Sequence, residues 1–184
     1  DGWRHLRFLL LFSPRWLFLY PGFALFMLGL LGTLWLLPQP RIVAGIALDV
    51  HTLFYLGMAM TVGFQSMLFW VFAKIYGARE GLVPPDPWFQ SLLGIVTLEL
   101  GLIVGGVLIV FGFGLSLYAL SSWGAGGFGQ LSPTNTMRLV IPSGTAMLLG
   151  VQAVLGAFFV SVLGIQASRI TEAEPTEWRP ADAA

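Results

Sequence analysis

Long uncharged apolar runs alternate with short polar connections along this chain, and the run length carries the first conclusion. A helix that crosses hydrocarbon needs about 20 mostly apolar residues, because every backbone polar group must be satisfied within the segment. Four segments reach that length. Residues 16–37 are uncharged and stop at Pro38-Gln39-Pro40; residues 50–73 are uncharged and end against Lys74. Residues 92–120 are apolar apart from Glu99, and residues 139–167 lie between Arg138 and Arg169. The first helix pair shows no repeat in the second. The pattern predicts an all-α integral membrane domain of four transmembrane helices.

The residues ahead of the first span have a different pattern. On a helical wheel Arg4, His5 and Arg7 fall on one side, and Trp3, Leu6, Leu9 and Leu10 on the other. Such a face pair predicts a short amphipathic helix over residues 1–14 lying in the headgroup layer. Pro14 ends it, and Arg15 and Trp16 then mark the surface at which the chain turns inward. Pro21 sits in the first turns of the span, where a missing N–H costs least. The connection "GAREGLVPPDP" is stiffened by prolines, and "SSWGAGGFGQLSPTNT" reads as irregular or interfacial. The final residues, 169–184, are polar and rich in Glu and Pro, which predicts a disordered tail. The resulting division is an interfacial helix over 1–14, a four-helix domain over 15–168 and the tail.

Composition agrees with a lipid environment. Hydrophobic residues make up 57% of the 184, charged residues 10%, and mean hydropathy is +0.83. Soluble domains carry about 25% charged residues. Net charge is +0, so no field argues for nucleic acid as a partner. Cysteine is absent, which removes disulfides and thiolate chemistry, and His5 and His51 are not spaced as metal ligands. The distribution of charge says more. Arg4, Arg7, Arg15, Lys74, Arg79, Arg169 and Arg179 fall on one set of connections, and only Arg41 and Arg138 on the other. By the positive-inside rule both termini are cytoplasmic.

No hydrolase triad, phosphate-binding glycine loop, paired carboxylates or metal cluster can be assembled from these residues, so no catalytic residue is assigned. Glu99 is either a proton relay or cation partner inside the bundle, or a carboxylate at the interface. Gln65 and Gln152 either line a path for lipid or substrate, or hydrogen-bond between helices. Gly101 and Gly105, with the stripe Ala146, Gly150, Ala153, Ala157 and Ser161, permit close helix packing within the chain or between copies, so a homo-oligomer is possible. Asp49 and His51 read as caps at the start of the second span. The cytoplasmic basic set Arg4, His5, Arg7, Arg15, Lys74 and Arg79 attracts anionic lipid, and guanidinium groups bind phosphate bidentately. Plain topology signal and lipid-phosphate site both fit these residues.

The opening "DGWRHLRFLLLFSPRWLFLYPG" resembles the junction in bacterial family 2 glycosyltransferases of the dolichol-phosphate-mannose-synthase-like kind, where a cytoplasmic catalytic domain gives way to a membrane domain. The stretches "FAKIYGAREGLVPPDP", "GGFGQLSPTNTMRLVIPS" and "GVQAVLGAFFVSVLGI" are similar to the same family. The resemblance implies transfer of a sugar from a nucleotide-sugar to polyprenyl phosphate at the cytoplasmic leaflet of the bacterial inner membrane. It also implies a divalent metal, Mg or Mn, in a catalytic domain upstream of Asp1, and no cofactor in these residues. A chain without an initiator methionine fits a piece of such an enzyme. The resemblance tilts the basic set toward a lipid-phosphate site. Two other readings are a stand-alone four-helix GtrA-like protein that moves polyprenyl-linked sugars, and a purely structural anchor or oligomerisation module.

Overall fold

The computed structural model describes residues 15–80, 87–89, 91, 97–125 and 133–172. The expected interfacial helix over 1–14 and residues 173–184 of the expected tail lie outside them. A π-helical turn, Arg15–Leu19, leads into α1, Tyr20–Leu36; α2 is Val50–Arg79, α3 Leu98–Ala125 and α4 Pro133–Glu172. All four are long and apolar enough to cross a membrane. The widened turn precedes Pro21, which falls in the first turn of α1 and has no N–H to give to a regular helical bond.

The helices form a row. α1 lies against α2, α2 against α4, and α4 against α3, so α1 and α3 occupy its two ends. Small residues set the spacing. A Cβ at Gly63 on α2 would meet the Gly22 carbonyl oxygen and the Phe26 nitrogen on α1 at 2.5 Å, and one at Gly150 on α4 would meet the Gly105 oxygen on α3 at 2.6 Å. The small-residue stripes are thus used inside the chain, where backbone approach supplies the dispersion contact that lipid cannot. A polar chain also joins α3 to α4: Ser116 Oγ donates to Ser143 Oγ at 3.0 Å, which donates to the Val140 carbonyl at 2.8 Å.

Several boundaries differ from the hydropathy reading. α2 continues past Lys74 to Arg79, because Lys74 packs against rings instead of ending the helix. α3 begins at Leu98, with Thr97 Oγ1 accepting the Leu100 N–H at 3.2 Å as its cap; residues 92–96 of the expected span lie outside the described residues. α4 begins at Pro133 and carries Pro142 within it, so "PTNTMR" is helical rather than irregular.

Two features were not expected at all. Between α1 and α2 a hairpin forms, β1 (Arg41–Val43) with β2 (Ile46–Leu48), antiparallel, with Val43 opposite Ile46 and Arg41 opposite Leu48. It closes through Ala44 and Gly45, both at positive φ. The second feature is Arg138. One guanidinium nitrogen donates to the Leu36 and Leu37 carbonyls at 2.9 and 3.1 Å, and the other donates to Asp49 Oδ1 at 2.6 Å. Asp49 stands at the N-cap of α2 but makes no side-chain cap bond. The capping role expected of it is therefore corrected: its carboxylate goes to Arg138, a charged donor and so a stronger partner than a backbone N–H.

Candidate functional site

At the end of the row where α1 begins and α2 finishes, aromatic side chains gather. Trp70, Ile75 and Phe89 form a buried cluster against which Phe18, Leu19, Val71, Val160 and Leu163 pack. Trp70 meets Phe89 edge-on at 5.5 Å between ring centroids and lies 6.4 Å from Trp88. Two cations sit on these rings. The Arg15 guanidinium is 5.8 Å from the Trp88 centroid; the Lys74 ammonium is 4.6 Å from the Phe89 centroid and 5.7 Å from that of Trp70. Such geometry holds a cation by the ring quadrupole.

The two cations differ in access. Arg15 is exposed, and a guanidinium carries a planar fork that matches an oxyanion. Lys74 is 5% exposed, so it contributes a fixed positive field from beneath the surface. The indole N–H of Trp70 is buried and has no acceptor. Of the basic set proposed from the sequence, Arg15 and Lys74 are brought to one aromatic platform. Arg79 closes α2 at the same end. Arg4, His5 and Arg7 lie outside the described residues.

The intramembrane polar candidates are placed separately. Glu99 is exposed in the first turn of α3. Gln65 and Gln152 face one cleft of about 350 Å³ between α2 and α4, together with Phe18, Thr61, Ser66 and Phe69. An apolar cleft of about 460 Å³, lined by Phe54, Met58, Ile141 and Leu148 among others, continues it and shares Thr61 and Val62. The Gln152 carbonyl oxygen is buried without a donor. Spacing on two separate helices gave no sign that these amides share a cleft. Among the described residues no group of three His, Asp or Glu side chains could hold a metal ion.

Residues 71–164, from the last third of α2 into α4, match the glycosyltransferase family 2 C-terminal transmembrane region. The chain belongs to this family. It is also 33% identical over 166 residues to the low-salt glycan biosynthesis hexosyltransferase Agl6 of Haloferax volcanii, an alignment that covers 89% of this chain. The chain spans 38% of the length of that relative. No solved structure matches. As a member of that transmembrane region, the chain is a multi-pass membrane domain. Membership leaves the stand-alone GtrA-like reading without support.

Proposed function

We propose that this chain is the membrane domain of a glycosyltransferase that passes a sugar from a nucleotide-sugar to polyprenyl phosphate at the cytoplasmic leaflet, and that it helps to hold the lipid-phosphate acceptor as well as anchoring the enzyme. The chemistry of transfer, with its divalent metal, belongs to a catalytic domain upstream of Asp1. Both termini then face the cytoplasm, in keeping with the seven basic residues on that side.

The observation that carries the reading is the Arg15–Lys74 platform. An acceptor with an isoprenoid tail and a phosphate head needs cationic groups at headgroup depth beside an apolar surface. Arg15 offers a bidentate donor; Lys74 supplies a positive field, and the Trp70 ring whose N–H has no acceptor lies beside Lys74. The rings beneath keep both cations in place at little entropic cost, since they are already packed. Family membership and the hexosyltransferase relative support the class of reaction.

The test is kinetic and uses the full-length enzyme. Arg15→Gln raises the KM for the polyprenyl phosphate several-fold and leaves the KM for the nucleotide-sugar unchanged. An unaltered acceptor KM in a normally inserted variant refutes acceptor binding and leaves an anchor alone. Orientation is checked independently, because the chain has no cysteine: Glu80→Cys reacts with an impermeant maleimide only from the cytoplasmic side.

A further inference from the structure

The hairpin between α1 and α2 carries a surface that the proposed function does not use. Its tip, Ile42 to Ala47, has no polar side chain, and Ile42, Ile46 and Val43 are 78%, 65% and 45% exposed. Even the turn is apolar. Ala44 and Gly45 hold φ of 50° and 80°, positions at which hairpins favour Asn, Asp and Gly. Accepting alanine in the left-handed region keeps the tip free of an amide or carboxylate.

We propose that this hairpin is a lipid-interface wedge whose apolar tip enters the leaflet opposite the Arg15–Lys74 platform. Three observations commit it to lipid. The hairpin is tethered by only residues 37–40 on one side and Asp49 on the other to helices that cross the membrane, so the bilayer is the first apolar phase it meets. At its base the Arg41 guanidinium lies 5.7 Å from the ring centroid of Trp35 on α1, and a cation beside an indole is the pairing found at headgroup depth. Finally, the sheet has two strands, so each strand leaves an unpaired outer edge of N–H and C=O groups. Those edges require water or headgroups and hold the wedge at the boundary of the hydrocarbon. In water the same apolar tip with open edges would promote association between chains.

The wedge rests on the helices spanning a membrane and not on the identity of the acceptor, so it stands or falls apart from the glycosyltransferase reading. The chain lacks cysteine, so Ile46→Cys and, as a second position, Ile42→Cys each give a single site for an environment-sensitive fluorophore. The whole chain is reconstituted in vesicles of phosphatidylcholine and phosphatidylglycerol. The expected result is blue-shifted emission that is quenched by nitroxide-bearing lipid and protected from aqueous iodide. Emission typical of water with iodide quenching overturns the proposal. So does a blue shift without quenching by nitroxide lipid, which assigns the tip to a protein partner.

Discussion

Removing the Arg138 guanidinium should cost more stability than any other single exposed-loop or helix-end change in the described residues. The side chain joins three elements at one membrane face: two carbonyls at the end of α1, the carboxylate at the start of α2, and its own helix α4. Arg138 and Asp49 side chains are 11% and 28% exposed, so the pair is mostly, not fully, desolvated. Breaking a fully buried ion pair by deleting one partner costs about 3–5 kcal/mol, and a hydrogen bond to a charged group is worth about 1.5–3 kcal/mol. Partial access to water at Asp49 places Arg138→Ala at about 2–3 kcal/mol. Arg138→Lys keeps the charge but loses the fork, and should forfeit about 1 kcal/mol, since one ammonium cannot reach both carbonyls and the carboxylate in the same geometry. The double variant Asp49→Asn with Arg138→Met should be less destabilised than Arg138→Ala alone, because no carboxylate is left without its partner. Reversible unfolding in mixed micelles with denaturing detergent, followed by far-UV circular dichroism, reads these proteins together with the single variants Asp49→Asn and Arg138→Met, which complete the cycle. A coupling energy between Asp49 and Arg138 below about 0.5 kcal/mol, the level at which independent sites simply add, would refute the staple.

The glycine contacts give a contrast that the same unfolding measurement resolves. Gly63→Ala, whose Cβ would press on the α1 backbone at 2.5 Å, should lose about 1–3 kcal/mol, whereas Gly106→Ala, with open space around it, should fall within about 0.5 kcal/mol of the parent. At the cleft, Gln152→Leu removes a buried oxygen that has no donor, so stability should hold or rise by about 1 kcal/mol; a loss of that size would mean the amide has a partner. On the aromatic platform, Trp88→Leu removes the ring beneath Arg15 and should raise the acceptor KM about two- to fivefold, on the order of 0.5–1 kcal/mol for an exposed cation–π contact, with the nucleotide-sugar KM as the internal control.

Much of the architecture was legible because lipid imposes a simple rule on the sequence. Apolar length placed four helices near 16–37, 50–73, 92–120 and 139–167, and the helices found overlap each of them. Their ends were less legible, because hydropathy marks where charge appears and not where hydrogen bonding stops. Lys74 is charged yet lies inside α2, its ammonium held on Phe89 and Trp70. Thr97 starts α3 through its hydroxyl, a local bond that the apolar residues before it conceal. The hairpin was missed for a related reason: "RIVAGIAL" has neither an Asn-Gly turn nor alternating polarity, the two cues by which hairpins are read.

The candidate site divides in the same way. Residue type and charge position grouped Arg4, His5, Arg7, Arg15, Lys74 and Arg79 as one set, since cations near an apolar span gather at one face. Which of Arg15 and Lys74 is exposed depends on the side chains packed around each, and those come from separate parts of the chain. The Arg138–Asp49 pair spans 89 positions, and Gln65 and Gln152 meet one cleft only because α2 lies beside α4.

The sequence by itself determined that this chain lives in lipid and how many times it crosses, because transfer of apolar and charged side chains between water and hydrocarbon is a property of each residue. Tertiary structure alone decided the order of helices in the row, the partner of Asp49 and the exposure of Arg15 against the burial of Lys74. Those outcomes depend on close backbone approach at glycines and on directional hydrogen bonds between distant segments, and no single stretch of sequence contains both partners.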